Sequence, residues 1–217
     1  MRCSMRTLTV GGALALALVV SSRTASAIPY LEVGDAGALI GSHQSVGWAY
    51  DTIVGTLSSG SDVDLYQLAL PAGLFTASTG NAPIGVGPDT QLFLFNASGI
   101  GIAANDDAPS GGTQRSFISA TLTPGIYYLA VSVFNQDPFS SGGNIFPDYF
   151  LCCGHPVDGP TGPGGALALS SWASGPAGAG TGQVGDYTIE LTAVPEPGTL
   201  LLLASGISAL ALRRRRT

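Results

Sequence analysis

Lysine is absent from this chain, and arginine is confined almost entirely to its ends. Arg2, Arg6 and Arg23 lie near the start and Arg213, Arg214, Arg215 and Arg216 close the chain, so Arg115 is the one Lys or Arg between Ile28 and Val194. Thirteen carboxylates share that span, which puts the body near −12, more acidic than the −6 of the whole chain. Phosphate backbones are held by clustered Lys and Arg, so nucleic acid is excluded as a partner. Such an excess of acid favours solubility, or divalent cations where carboxylates converge.

Histidine is scarce as well: His43 and His155 are the only two. There is no Gly-x-Ser-x-Gly elbow, no His-Glu-x-x-His and no phosphate loop, so the chain reads as a non-enzyme. His43, within "GSHQS", reads as an exposed turn residue. A carboxylate pair such as Asp106 with Asp62 is what a glycosidase would use, yet two tryptophans offer little to line a sugar cleft. Cysteine is equally sparse. Cys3 lies in the first segment, which leaves Cys152 and Cys153 in "LCCGHP". With His155 they lack the paired spacing of a zinc site, and a vicinal disulfide or intermolecular pairing suits an oxidising compartment better.

What the ends do contain is ordered. Arg2 and Arg6 precede an apolar stretch from Val10 to Val20, and Ala25-Ser26-Ala27 follows, the layout of a secretory signal peptide over residues 1–27. At the other end Pro195-Glu196-Pro197 precedes an uncharged run of 15 residues from Gly198 to Leu212, then the four arginines. As a helix the run reaches roughly 22 Å, short of the ~30 Å hydrocarbon core, so it makes a weak anchor. The arginines hold its end in the cytoplasm. An exposed Pro-Glu-Pro before a weak anchor suits a segment read by a processing enzyme.

Between the ends lies one domain, residues 28–194, rich in glycine and without sustained helical periodicity. Val63-Asp64-Leu65 leads into Tyr66, Leu68 and Leu70, with Pro71-Ala72-Gly73 as a turn. Gln91 to Phe95 is apolar on both faces and reads as a central strand. Ser98-Gly99 turns into a strand from Ile100 to Ala103. Phe117–Leu122 and Ile126–Val133 flank Thr123-Pro124-Gly125 and read as a hairpin, with Tyr127, Leu129, Val131 and Val133 on one face. Tyr187, Ile189 and Leu191 mark the last strand. Many short strands between turn signals give an all-β fold, a β-sandwich. Residues 135–185, with "GPTGPGG" and "SGPAGAGTG", read as a surface excursion partly ordered around Phe146, Tyr149, Phe150 and Trp172; the glycines have no collagen period.

The pointed polar cluster is Asn105-Asp106-Asp107, placed in the turn after Ala104. Adjacent oxygen-bearing side chains can chelate Ca²⁺, and a cation would relieve the repulsion of neighbouring carboxylates; an Asx-rich turn is the plainer reading. Asp62 and Asp64 share one strand face and either contribute or start the strand and face solvent. Asp89 reads as a turn residue.

Two family resemblances follow. The last two dozen residues resemble the PEP-CTERM sorting signal of Gram-negative exosortase systems, with all three parts in order. That resemblance implies export, transient anchoring in the inner membrane, cleavage by an exosortase near Pro195-Glu196-Pro197, and placement at or beyond the cell surface, often alongside exopolysaccharide. Over Glu32 to Thr192, "EVGDAG", "SDVDLYQLALPAG", "DTQLFLFNASGIGIAANDD", "RSFISATLTPGIYYLAVS" and "GDYTIELT" together resemble the bacterial pre-peptidase C-terminal (PPC) domain. That resemblance implies a jelly-roll-like β-sandwich without catalytic residues, binding calcium near its lead-in. Its matching positions are Glu32, Asp35, Asp62, Asp64, Asn105, Asp106 and Asp107. The expectation is a secreted surface or matrix protein that works by interaction, adhesion or association with exopolysaccharide. The rivals are a carbohydrate-active enzyme or its targeting module, and a purely structural envelope component.

Overall fold

Short alternating runs become thirteen strands and, among the described residues, no helix. The computed structural model describes residues 28–47, 50–80, 87–108, 115–147, 156–174 and 183–195. The signal segment, Glu196 and Pro197, the apolar run, the arginine cluster, Cys152, Cys153 and His155 lie outside the described residues. The first nine strands are β1 (Pro29–Leu31), β2 (Gln44–Val46), β3 (Thr52–Leu57), β4 (Val63–Leu70), β5 (Gly73–Ser78), β6 (Thr90–Asn96), β7 (Gly101–Asn105), β8 (Phe117–Leu122) and β9 (Gly125–Val133). They are followed by β10 (Gln136–Ser140), β11 (Gly143–Asn144), β12 (Ser171–Ser174) and β13 (Gly185–Pro195).

Two five-stranded sheets form, in the orders β1-β3-β13-β5-β8 and β2-β4-β9-β6-β7. Their facing sides alternate into one core: Ile53, Phe75, Ile118 and Ile189 from the first meet Leu68, Leu92, Leu129 and Val131 from the second. This is the expected β-sandwich, with Tyr127, Leu129, Val131 and Val133 on the face assigned from sequence. The pairing of β8 and β9 differs from expectation. Each lies in a different sheet, so Thr123-Pro124 is a corner between sheets and not a hairpin turn. The reason is that Ile118 and Leu122 enter the core from one side while Tyr127 and Leu129 enter it from the other. Pro71-Ala72 makes the same crossing from β4 to β5, and Gly73 takes φ 130° there, a conformation open to glycine.

The outer face of the second sheet is covered as well, which explains why β6 is apolar on both sides. Val63, Leu65, Phe93, Phe95 and Tyr128 pack against Ile145, Phe146, Leu169 and Trp172. The covering residues come from the glycine-rich segment, which was expected to be an excursion and is instead built around a three-stranded sheet, β11-β10-β12. Phe146 and Trp172 anchor it, with Phe93 and Trp172 rings at 5.4 Å; Tyr149 and Phe150 lie outside the described residues. Its glycines serve close packing: a Cβ on Gly165 would strike the Pro160 carbonyl, and one on Gly164 the Gly143 carbonyl.

His43 is half-buried where an exposed turn residue was expected. Its ring stands edge-on to Tyr128 at 5.1 Å, and its Nδ1 meets the Ile40 carbonyl at 2.5 Å.

The strands also define two unlike ends. At one end lie the end of β3, the start of β4, the start of β6, the end of β7, the end of β9 and the start of β13. At the other lie both sheet crossings and the end of β13, where Pro195 pairs with Gly73.

Candidate metal centre

At the first of these ends the chain gathers carboxylates in two places. After β1, the Glu32 amide continues the ladder to the Val54 carbonyl at 2.9 Å. The Glu32 carboxylate then accepts from the amides of Ala36 at 3.0 Å and Thr56 at 2.9 Å, which folds "EVGDAG" back over β3. Asp35 accepts from the Gly37 amide at 3.0 Å. Asp64 comes from the facing sheet. It is the second residue of β4, and alternation turns it with Tyr66 and Leu68 into the core, where it has no exposed surface.

The expectation that Asp62 and Asp64 share one strand face does not hold. Asp62 precedes β4 and closes the β3–β4 turn by accepting from the Ser58 amide and hydroxyl at 2.6 and 2.7 Å. Asp64 is held from inside: the Tyr187 hydroxyl donates to its Oδ2 at 2.7 Å, and the Tyr66 hydroxyl lies 2.5 Å from that of Tyr187. Its Oδ1 is buried and receives no hydrogen bond among the described residues. Gly55 is the opening that lets these groups meet. A Cβ there would strike the Tyr187 hydroxyl and approach Glu32 Oε2 to 2.6 Å.

Glu32, Asp35 and Asp64 each bring a carboxylate oxygen to within 4.8 Å of the others. Ligands around one Ca²⁺ at 2.3–2.6 Å can stand up to about 5 Å apart, so the three fit a single ion. Burial raises the Asp64 pKa to about 8; the charges of Glu32 and Asp62 push the same way, and the Tyr187 hydrogen bond opposes them. Burial also raises Tyr187 and Tyr66, which stay neutral donors. The site opens into a groove of about 470 Å³ whose walls include Asp62 and Asp186. Asp186 accepts from the Thr56 hydroxyl at 2.7 Å.

The second group is Asp89, Asp106 and Asp107, again with oxygens within 4.8 Å of one another. Asn105 ends β7 and does not lie in the turn after it. Its Oδ1 accepts from the Phe117 amide at 2.8 Å and its Nδ2 donates to the Asp107 carbonyl at 3.1 Å, so the amide shapes the loop. Burial raises the Asp106 pKa to about 8, with the charges of Asp107, Asp89 and Asp137 adding to it. Beside Asp106 a cavity of about 30 Å³ is walled partly by Asp137 and Asp158 from the covering segment, enough for about one water or bare cation.

The residues named from sequence therefore fall into two places. Asp64 lies on β4 and Asp106 follows β7, and those strands stand three places apart in one sheet, roughly 14 Å. Asp89, read from sequence as a turn residue, and Asp186, which was not singled out, join these two places. Asp89 sits just before β6, in "GPDTQ", and Asp186 is the second residue of β13, in "GDYTI"; both strands start at this end, and their direction is the signal that could have found the two residues.

Residues 193–216 match the family model described as the PEP-CTERM protein-sorting motif. Among solved structures the chain is similar to the pre-peptidase C-terminal domain of collagenase from Bacillus anthracis, at 14% identity over 69% of this chain and 93% of that chain, with a TM-score of 0.36. No curated protein matches it.

Proposed function

We propose that this chain, exported and processed by a membrane exosortase through its PEP-CTERM motif, serves at the cell surface as a calcium-stabilised interaction module without catalytic activity. The observation that carries the calcium reading is Asp64, a fully buried carboxylate whose Oδ1 accepts no hydrogen bond and which brings one carboxylate oxygen to within 4.8 Å of those of Glu32 and Asp35. Burial makes the ionised form costly, so the metal-free site holds a proton up to about pH 8, and a divalent cation that displaces this proton offsets the cost of the charge. Bound there, Ca²⁺ supplies the positive charge that the three carboxylates lack. Asp64 holds it from the core, while Glu32 and Asp35 fasten the lead-in to β3. The reading is a structural one: the ion ties the start of the domain to its centre.

The partner is an acidic surface glycan or exopolysaccharide, reached through cations shared with the acidic end. A body near −12 repels such polymers unless divalent ions bridge them. The test is the thermal midpoint of the full chain in mild detergent, with Ca²⁺ and with chelator. At a hundred times its dissociation constant the ion adds about 2.7 kcal/mol, a rise of roughly 5–10 °C for a chain of this size. Loss of that rise in Asp64→Asn supports the site, and an equal midpoint in both buffers rejects it.

A further inference from the structure

The end of the sandwich opposite the carboxylates is apolar, and β13 reaches it at Pro195, where the C-terminal tail begins. An apolar groove of about 720 Å³ opens there between the sheets, with Tyr50, Leu70, Pro71, Ile126 and Leu191 in its walls. Around it Leu74 is 45% exposed, Ile126 38% and Val194 54%. Leu74 and Val194 are cross-strand partners, one residue in from the Gly73–Pro195 pair that ends the sheet. Ile28, also exposed, precedes Pro29, which pairs with Thr52 and through it stands level with Glu190 at the middle of β13.

From this arrangement we infer that the apolar end is a docking face for the lipid surface, seated on the bilayer while the chain is anchored. The inference rests on the reading of the tail as a transient membrane anchor. Only Glu196 and Pro197 separate Pro195 from the apolar run at Gly198. Two extended residues span at most about 7 Å, close to the depth of the headgroup layer on one side of a bilayer. A run in the hydrocarbon therefore draws the end of β13 down to the headgroups, and Leu74, Ile126 and Val194 meet lipid because nothing longer holds them away.

Charge orients the molecule the same way. Both carboxylate groups sit near the start of β13, and its eleven residues cover roughly 35 Å. That is several Debye lengths from an anionic surface, beyond the reach of its repulsion. On the membrane half stands Asp51, whose carboxylate accepts from the Thr52 hydroxyl at 3.2 Å, and Glu190 lies at the middle of β13.

The experiment places the full chain in vesicles of equal parts phosphatidylethanolamine and phosphatidylglycerol, with and without bromine on the acyl chains. Tryptophan is introduced at the apolar end by Leu74→Trp or Ile126→Trp, and at the far end by Ser59→Trp. The unsubstituted chain supplies the background from its own two tryptophans. The expected result is brominated-lipid quenching at least severalfold greater for Leu74→Trp and Ile126→Trp than for Ser59→Trp. Equal quenching at both ends in a chain that floats with the vesicles overturns the docking face and leaves the anchor reading intact. Emission from Leu74→Trp that is blue-shifted and unquenched assigns the face to the chain's own apolar run and also overturns it. A chain that does not float overturns both.

Discussion

The Tyr187 hydroxyl donates to Asp64 Oδ2 across 2.7 Å, joining the central strand of one sheet to β4 of the other. Tyr187 is 3% exposed and Asp64 is fully buried, so no water replaces that donor. Removing it by Tyr187→Phe takes away the hydroxyl that donates to Oδ2. The expected cost is about 1–3 kcal/mol in urea unfolding with chelator present. Asp64→Asn combined with Tyr187→Phe should cost less than the two separate losses added together, because the group that needed the donor is gone. Strict additivity would show that the bond contributes nothing.

The pH dependence of the metal-free chain follows from Asp64 and Asp106, both raised to about 8. In the unfolded chain such groups lose their protons near 3.9, so between about 4 and 8 the folded state binds more protons. Stability is then full below about 4 and falls as pH rises through the folded pKa, by at most about 1.4 kcal/mol per pH unit for each group. The thermal midpoint in chelator should decline from pH 5 to pH 8. Calcium competes with those protons, so its stabilising effect should grow over the same interval. A midpoint in chelator that climbs with pH contradicts the assignment.

Gly55 faces Tyr187 across the β3–β13 pair, and its missing side chain is the space through which Glu32 and Tyr187 approach Asp64. Gly55→Ala should destabilise by about 1–3 kcal/mol through overpacking and also abolish the calcium-dependent rise in midpoint. A variant that loses stability but keeps the full calcium response would separate Gly55 from the metal centre.

The sandwich was legible because its strands alternate: Tyr127 to Val133 and Tyr187 to Leu191 point the same residues inward that the sequence pattern points inward. Sheet membership was not. A short Pro-Gly connector serves a hairpin or a corner equally, and only the partners Gly73 and Leu122 across β5 and β8 decide between them. The covering sheet was hidden by composition, since the glycines of residues 162–165 signal looseness in sequence and close backbone packing in space. At the candidate centre, Glu32, Asp35 and Asp64 were named, but their separation from Asp106 depends on which strands lie between β4 and β7. Asp89 and Asp186 each stand alone in sequence, and their place beside the others comes from strand direction.

Phe146 tests whether the covering segment belongs to the fold or merely rests on it. It is 4% exposed and packs on Phe93 and Phe95 at ring distances of 5.7 and 6.0 Å. Phe146→Ala should cost about 3–5 kcal/mol if the cover unfolds together with the sandwich. If the cover opens alone, the main transition stays put, and amides of β10 and β12 exchange early while β6 and β9 remain protected. Exchange mass spectrometry distinguishes the two, and we expect a single cooperative unit because Ala104 and Asp158 exchange backbone hydrogen bonds of 2.9 and 2.8 Å across the junction.

The sorting motif and the fold share residues, which constrains where processing falls. The family match begins at residue 193, while Ala193, Val194 and Pro195 are still paired with Phe75, Leu74 and Gly73. A peptide bond must leave its ladder to enter a processing site, and opening the three pairs with β5 is harder than cutting beyond them. Cleavage should therefore fall after Pro195, so that the mature protein keeps all of β13. Intact-mass measurement of the exported protein checks this directly. A C-terminus before Pro195 would mean that β13 frays before processing. One beyond Leu212 would mean that the apolar run is never removed, and the sorting reading would fall with it.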